Sequence, residues 1–278
     1  MLLIDSHCHI DAPEFDPDRA EVIARAHRAG VECLIAPAVD AASWPKLKAV
    51  AQAHPGVHPA YGLHPMFLPR HRPEHLTQLR DWIERERPCA IGECGLDHHV
   101  GNLDPDTQRE YLIGQLKLAR EFDLPLILHA RKALDEIIAL LRRFGRDADG
   151  GQPLRGVVHS FSGSAQQAAQ LFELGFCVGI GGPVTHERAQ RLRRIVRELP
   201  IAQLLLETDA PDQPDAAIRG QRNEPARLPH IAQVIATLRD EPLAHIAEQT
   251  SANARRLFSL PAALPVSDDG PTQHKVSG

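Results

Sequence analysis

The chain has 278 residues, with 31 Lys and Arg against 36 Asp and Glu, a net charge of −5 with His neutral. That balance offers no support for nonspecific adhesion to a polyanion, so any nucleic-acid contact has to be local or metal-mediated. The length suits one large barrel or two ordinary domains, and the 16 His residues are worth following one by one, because imidazole is a common metal ligand and the usual base near neutrality.

In chain order, short apolar runs recur at Leu2 to Asp5, Glu32 to Ala36, Val57 to Tyr61, Cys89 to Gly92, Leu126 to His129, Gly156 to His159, Phe176 to Gly179 and Gln203 to Glu207. They are too short for helices and apolar almost throughout, which suits parallel strands buried on both faces. Helical patterns lie between them. Arg19 to Ala29 stops at Gly30, Asp106 to Phe122 starts behind Asp104 and Pro105, and Ser164 to Leu174, His186 to Leu199 and Pro229 to Leu238 read alike. A last helix from Pro242 to Phe258 has a candidate break near Thr250. Strand and helix alternate eight times, which an open doubly wound sheet or a closed eight-stranded barrel would accommodate. The count of eight and the spread of polar strand ends favour the barrel: an α/β chain with one domain over residues 1–260. The polar residues 261–278 are expected to form a disordered tail.

Cys8, Cys33, Cys89, Cys94 and Cys177 form an odd set without a CxxC pair, and are read as reduced and mostly buried. The opening MLLIDSHCHID has no basic lead and no long apolar core, and no later run reaches membrane-spanning length. A cytoplasmic protein without membrane contact is expected.

Five runs end at metal-type ligands: LLIDSHCHI, AIGECGLD, PLILHARK, GVVHSFSG and LLLETDAPD supply His7, His9, Glu93, His129, His159 and Asp209. Residues two apart on a strand face the same way, so His7 and His9 point together into a barrel mouth. A lone His at a strand end is more often a satisfied core residue; two at matching places on neighbouring strands weaken that reading. Four imidazoles and two carboxylates exceed what one tetrahedral zinc with an open position needs. Two metals sharing Glu93 as a bridge fit the inventory better, and such a pair suits phosphodiester hydrolysis.

Those motifs, with GLHP at 62 to 65, RNEP at 222 to 225 and TSANARRLF near the end, resemble the TatD family of metal-dependent deoxyribonucleases within the amidohydrolase superfamily. The resemblance runs from about residue 2 to residue 258. It implies a TIM-like (β/α)8 barrel, two divalent metal ions and exonucleolytic hydrolysis of DNA, with DNA as substrate. His and carboxylate ligands suit Zn, Mn or Mg alike, and a monomer is expected. It places His7, His9, Glu93 and Asp209 on one metal and Glu93, His129 and His159 on the other. It makes Asp209 the residue that orients or deprotonates the attacking water, and His64 a contact to the phosphate or leaving group. Arg131 and Arg222 are expected phosphate clamps, since guanidinium pairs bidentately with phosphate. Arg188, Arg191, Arg193, Arg194 and Arg197 are read as a solvated helix face.

Two departures from the family pattern stand out: His98 and His99 follow GLD where many members have an aromatic residue, and Ser160 follows His159 where many have Cys. The two His residues are read as structural rather than as ligands. Aromatic residues make up 4% of the chain, and Trp44 and Trp82 are read as packing residues, so stacking platforms for a strand are scarce. The alternative reading is an amidohydrolase acting on an amide or ester of a small metabolite, because the same metal pair serves carbonyl attack. A metal-binding protein without catalysis would call for saturated coordination, which the open ligand set disfavours.

Overall fold

A computed structural model describes residues 2–145 and 153–261, so the tail expected at 261–278 lies, beyond its first residue, outside the described residues. Eight strands, β1 (Leu3–Asp5), β2 (Val31–Pro37), β3 (Val57–Tyr61), β4 (Ala90–Asp97), β5 (Leu126–Arg131), β6 (Gly156–Val158), β7 (Phe176–Ile180) and β8 (Leu204–Leu206), pair in parallel in chain order. The ring closes through the chain just past its two outer strands. Ser6 N donates to Leu206 O (2.9 Å), Asp209 N to His7 O (2.9 Å) and His9 N to Ala210 O (2.8 Å). This is the expected barrel, nearly closed.

Around it lie α1 (Arg19–Arg28), α2 (Trp44–Ala53), α3 (Glu74–Glu86), α4 (Pro105–Glu121), α5 (Leu134–Phe144), α6 (Ala165–Glu173), α7 (Gln190–Glu198), α8 (Leu228–Arg239) and α9 (Leu243–Phe258). Local chemistry sets their ends. Asp104 accepts the Thr107 N–H ahead of Pro105, so α4 starts where the sequence predicts. Gly30, at φ +88°, takes up the left-handed turn after α1. Ser164 and Gln167 cap α6 reciprocally.

Two expectations change. The helix predicted from His186 starts only at Gln190, because Thr185 Oγ1 donates to Gly182 O and accepts the Ala216 N–H, holding the preceding segment in a turn. The break predicted near Thr250 is absent: its buried hydroxyl donates to Ile246 O (2.7 Å), and α9 runs through. None of the described helices is long and apolar enough to cross a membrane.

Strand alternation divides the apolar side chains into two layers. Leu34, Ile91, Leu126, Leu128 and Leu206 face outward against the helices. Ile4, Ile35, Ala60, Ala90, Ile127, Val157 and Leu205 fill the barrel interior, with Leu257 and Phe258 of α9 packed against them. α9 sits at the amino ends of the strands, where Ser251 Oγ donates to Leu2 O and Asn253 Nδ2 to Leu204 O. The carboxyl ends stay open.

Candidate metal centre

Continuing the same alternation upward replaces apolar residues with ionisable ones. Ile127 is followed on its face by His129, Val157 by His159, and Leu205 by Glu207 and then Asp209. β4 extends past its predicted end, so Glu93 lies within a strand and Asp97 closes it. His7, His9, His159 and Asp209 stand just beyond their strands, and the six expected ligand residues converge on one point.

Glu93 is that point. Its Oε2 lies 3.1 Å from His7 Nε2 and 3.4 Å from His9 Nε2. Its Oε1 lies 2.8 Å from His159 Nε2, 3.1 Å from His129 Nδ1 and 2.8 Å from His64 Nε2. Asp209 Oδ1 joins the first group, 3.4 Å from His7 Nε2 and 3.7 Å from His9 Nε2. Each oxygen of one buried carboxylate thus faces its own set of imidazole nitrogens.

The protonation states are unusual. Burial opposes charge on Glu93, yet the surrounding imidazoles, His159, His64 and His7 foremost, hold its carboxyl well below the ordinary range. Burial likewise opposes charge on His9 and His159, but the Glu93 carboxylate prevails and lifts them to about 9 and about 10. Burial, helped by the His159 ring stacked 3.9 Å away, pushes His7 well down. Burial also lowers His64 to about 4, leaving it neutral; its Nδ1 accepts the Met66 N–H, so Nε2 carries the proton given to Glu93. Asp209 is raised by burial, which makes it a stronger base than an exposed carboxylate.

The donor set suits divalent cations. Imidazole nitrogens face one another at 3.2 Å (His7 and His9) and 3.3 Å (His129 and His159), close approaches that need a proton or a cation between them. Glu93 Oε2 is buried without a hydrogen-bond partner. The outward nitrogens of two rings are anchored: His9 Nδ1 lies 3.2 Å from Pro37 O and His129 Nε2 2.9 Å from Asp97 Oδ2. Such partners fix the tautomer that points the other nitrogen at a metal. Among the described residues, three groups of donor atoms lie close enough to hold an ion: His7, His159 and Asp209; His7, His9 and Glu93; and His64, Glu93 and His129.

Several residues at the centre were not singled out from the sequence. Asp97, fully buried, is held well below the usual carboxylate range by the His129 ring and by the His99 and Val100 amides, despite its burial. Glu207, also buried, is pushed up to about 8 by desolvation. A Cβ at Gly179 would sit 1.9 Å from Glu207 Oε2, so only glycine leaves room for that carboxyl. Spacing alone points to both: Asp97 lies two pairs of residues past Glu93 on its strand, and Glu207 shares a face with Leu205 and Asp209. Gln213 Nε2 donates to Asp209 Oδ2, and the Gln213 amide also bonds Ser160 Oγ. Asp209, Ser160 and Gln213 all adopt left-handed backbone (φ +57°, +47° and +49°), so strain concentrates beside the centre. Of that trio, Asp209 and Ser160 are named from the sequence, and no sequence signal marks Gln213 or the contact that joins them.

The centre opens into a cavity of about 1190 Å³ lined by His64, Arg131, Arg188, Arg191, Met66 and Phe67 among others. Arg222 is not brought there: its guanidinium grips Asp18 (2.7 and 2.8 Å) and lies over the Phe15 ring. Arg188 and Arg191, expected on a solvated helix face, line the cavity instead, because α7 starts late and leaves Arg188 in the loop at the rim. Arg193 and Arg197 bond the Val184 and Leu238 carbonyls. His98 pairs with Glu136 at 2.8 Å, as a structural residue would. Trp44 and Trp82 pack together, 5.8 Å between ring centroids.

Comparison with known proteins gives a consistent result. A family model described as TatD related DNase matches residues 4–259. The Escherichia coli protein named uncharacterized metal-dependent hydrolase YjjV is 41% identical over 261 residues, covering 93% of this chain and 98% of its own. The 3'-5' ssDNA/RNA exonuclease TatD of Erwinia billingiae is 35% identical over 266 residues, covering 94% and 100%. The crystal structure of the Escherichia coli YjjV protein superimposes with a TM-score of 0.87 at 39% identity, over 93% of this chain and 98% of that one.

Proposed function

The chain belongs to the TatD related DNase family of metal-dependent hydrolases, and from that premise we propose that it hydrolyses DNA phosphodiester bonds, as an exonuclease, with two divalent cations (Zn, Mn or Mg) held on either side of Glu93. The observation that carries this reading is the division of ring nitrogens between the two Glu93 oxygens. His7, His9 and Asp209 would hold one ion together with Glu93, and His129 and His159 the other, again with Glu93. Two cations there would make a water acidic enough to attack near neutral pH and would neutralise charge on the attacking and leaving oxygens.

The chain's own groups have distinct tasks in this reading. Asp209 keeps Oδ1 toward the centre while Gln213 holds Oδ2, so the carboxylate is aimed as the acceptor of the water's proton. Neutral His64 lines the cavity wall, and a phosphoryl or leaving oxygen would take over the Nε2 hydrogen bond that Glu93 accepts. Arg131 supplies a guanidinium to the phosphate from the end of β5. Arg222, committed to Asp18, has no part.

The cavity, at about 1190 Å³, leaves room for more than a small metabolite. Hydrolysis of an amide or ester remains the competing reading, and one assay separates the two. The stripped protein is reloaded with Zn, Mn or Mg and given end-labelled single-stranded DNA beside a panel of amides and lactones. Metal-dependent shortening of the strand from one end supports the nuclease; turnover confined to the amides and lactones, or DNA cleavage that persists without metal, refutes it.

A further inference from the structure

The cations of the mouth are unevenly neutralised. On the side built from the loops after β1, β2 and β3, Lys46 is paired with Asp16 (2.8 Å) and Arg70 with Asp40 (3.0 Å), and Asp11 and Glu14 add further acid. On the side built from β5 and the loops after β6 and β7, Arg131, Arg188 and Arg191 line the same cavity, and none has an acidic partner among the described residues. Arg191 sits in the first turn of α7 with one guanidinium nitrogen on Ser162 O; Arg188 is exposed in the loop before it.

A guanidinium held at one nitrogen keeps its remaining N–H groups for a ligand, and an acidic chain gains nothing from leaving three cations together unless an anion joins them. The ligand that fits is a phosphodiester: anionic, forked in the manner guanidinium matches, and continuous with a group at the metal centre. We propose that Arg188 and Arg191 form a phosphate-binding subsite that holds the backbone of a nucleic-acid strand one or more nucleotides away from the bond being cut. The subsite rests on the nucleic-acid reading above. It makes strand length a determinant of affinity, with the chain leaving the centre over β6 and β7 and not over the acidic side.

The test compares the wild type with R188A/R191A and with the charge-keeping R188K/R191K, each metal-loaded. Substrates are a single-stranded DNA oligonucleotide of roughly ten nucleotides, within the usual span of strand-binding sites, and the small diester bis(p-nitrophenyl) phosphate. The ratio of kcat/KM for the oligonucleotide to that for the small diester is expected to fall at least about tenfold in R188A/R191A, through KM, and to recover partly in R188K/R191K. Binding of the uncleaved oligonucleotide to the metal-free protein should lose salt dependence by about 1.4 in the log–log slope, about 0.7 for each phosphate contact removed. An unchanged ratio and slope in a double variant that keeps the wild-type melting temperature overturns the subsite alone. A wild type that cuts the small diester but neither binds nor cuts the oligonucleotide overturns the nucleic-acid reading and the subsite with it.

Discussion

The barrel interior has two storeys built by the same strands, and they are stabilised in opposite ways. In the lower one, Ile4, Ile35, Ile127, Val157 and Leu205 meet Leu257 and Phe258 and need only shape and exclusion from water. In the upper one, His129 and His159 stand two residues further along their strands, and Glu93 and Asp209 join them as ionisable groups that are buried or nearly so, where charge is costly without a partner. The lower storey is complete in the protein alone. The upper balances its charge by sharing protons, with His9 and His159 held protonated beside Glu93, and binding cations must displace those protons.

Substitutions should separate the storeys. The largest effect expected is that of Asp209→Ala, a loss of about 10²–10⁴ in kcat, the span of a positioned general base, with the melting temperature little changed. Steady-state kinetics beside thermal unfolding check it, and wild-type turnover would remove Asp209 from the mechanism.

Leu205→Ala, one storey down, should cost about 2–5 kcal/mol of stability by leaving a cavity, while molecules that remain folded keep their metal affinity. Denaturant titration and metal binding, measured side by side, decide the matter; a matching fall in metal affinity would show that the storeys are coupled.

The third prediction concerns pH. Burial raises the folded-state pKa of Glu207 to about 8, against which the His159 cation works only in part. A carboxyl raised on folding gives stability that is present below its ordinary range and lost as pH rises towards 8. Metal-free wild type should therefore lose about 3–4 kcal/mol relative to Glu207→Gln between about pH 5 and pH 8, read from urea midpoints. Parallel curves for the two proteins would place Glu207 in a more hydrated setting.

Asp97→Asn should have the smallest effect, weakening metal binding about 10- to 100-fold by loosening the His129 tautomer. Calorimetric titration of the stripped protein checks it.

The eight apolar strands and the meeting of His7, His9, Glu93, His129, His159 and Asp209 at one mouth were legible in the sequence, because both follow from where each apolar run stops. Glu207 and Asp97 obey the same arithmetic, but a carboxylate reads as a ligand or a salt bridge until its neighbours are known. Gln213 and Ser160 were out of reach, since they meet Asp209 through left-handed turns that no periodicity announces. The positions of Arg222, Arg188 and Arg191 differ from the sequence reading for a related reason: where a surface arginine lies depends on whether an acid stands beside it. Asp18 claims Arg222, while the late start of α7 turns Arg188 and Arg191 into the mouth.

The central claim is that one carboxylate serves two cation positions. Its most direct measurement is the ratio of bound metal to protein, by elemental analysis after loading and desalting, for the wild type and Glu93→Gln. Two ions per chain in the wild type, falling to fewer than one in the variant while the circular dichroism spectrum is kept, is the predicted result. One ion per chain in the wild type, or two retained after the substitution, would contradict it.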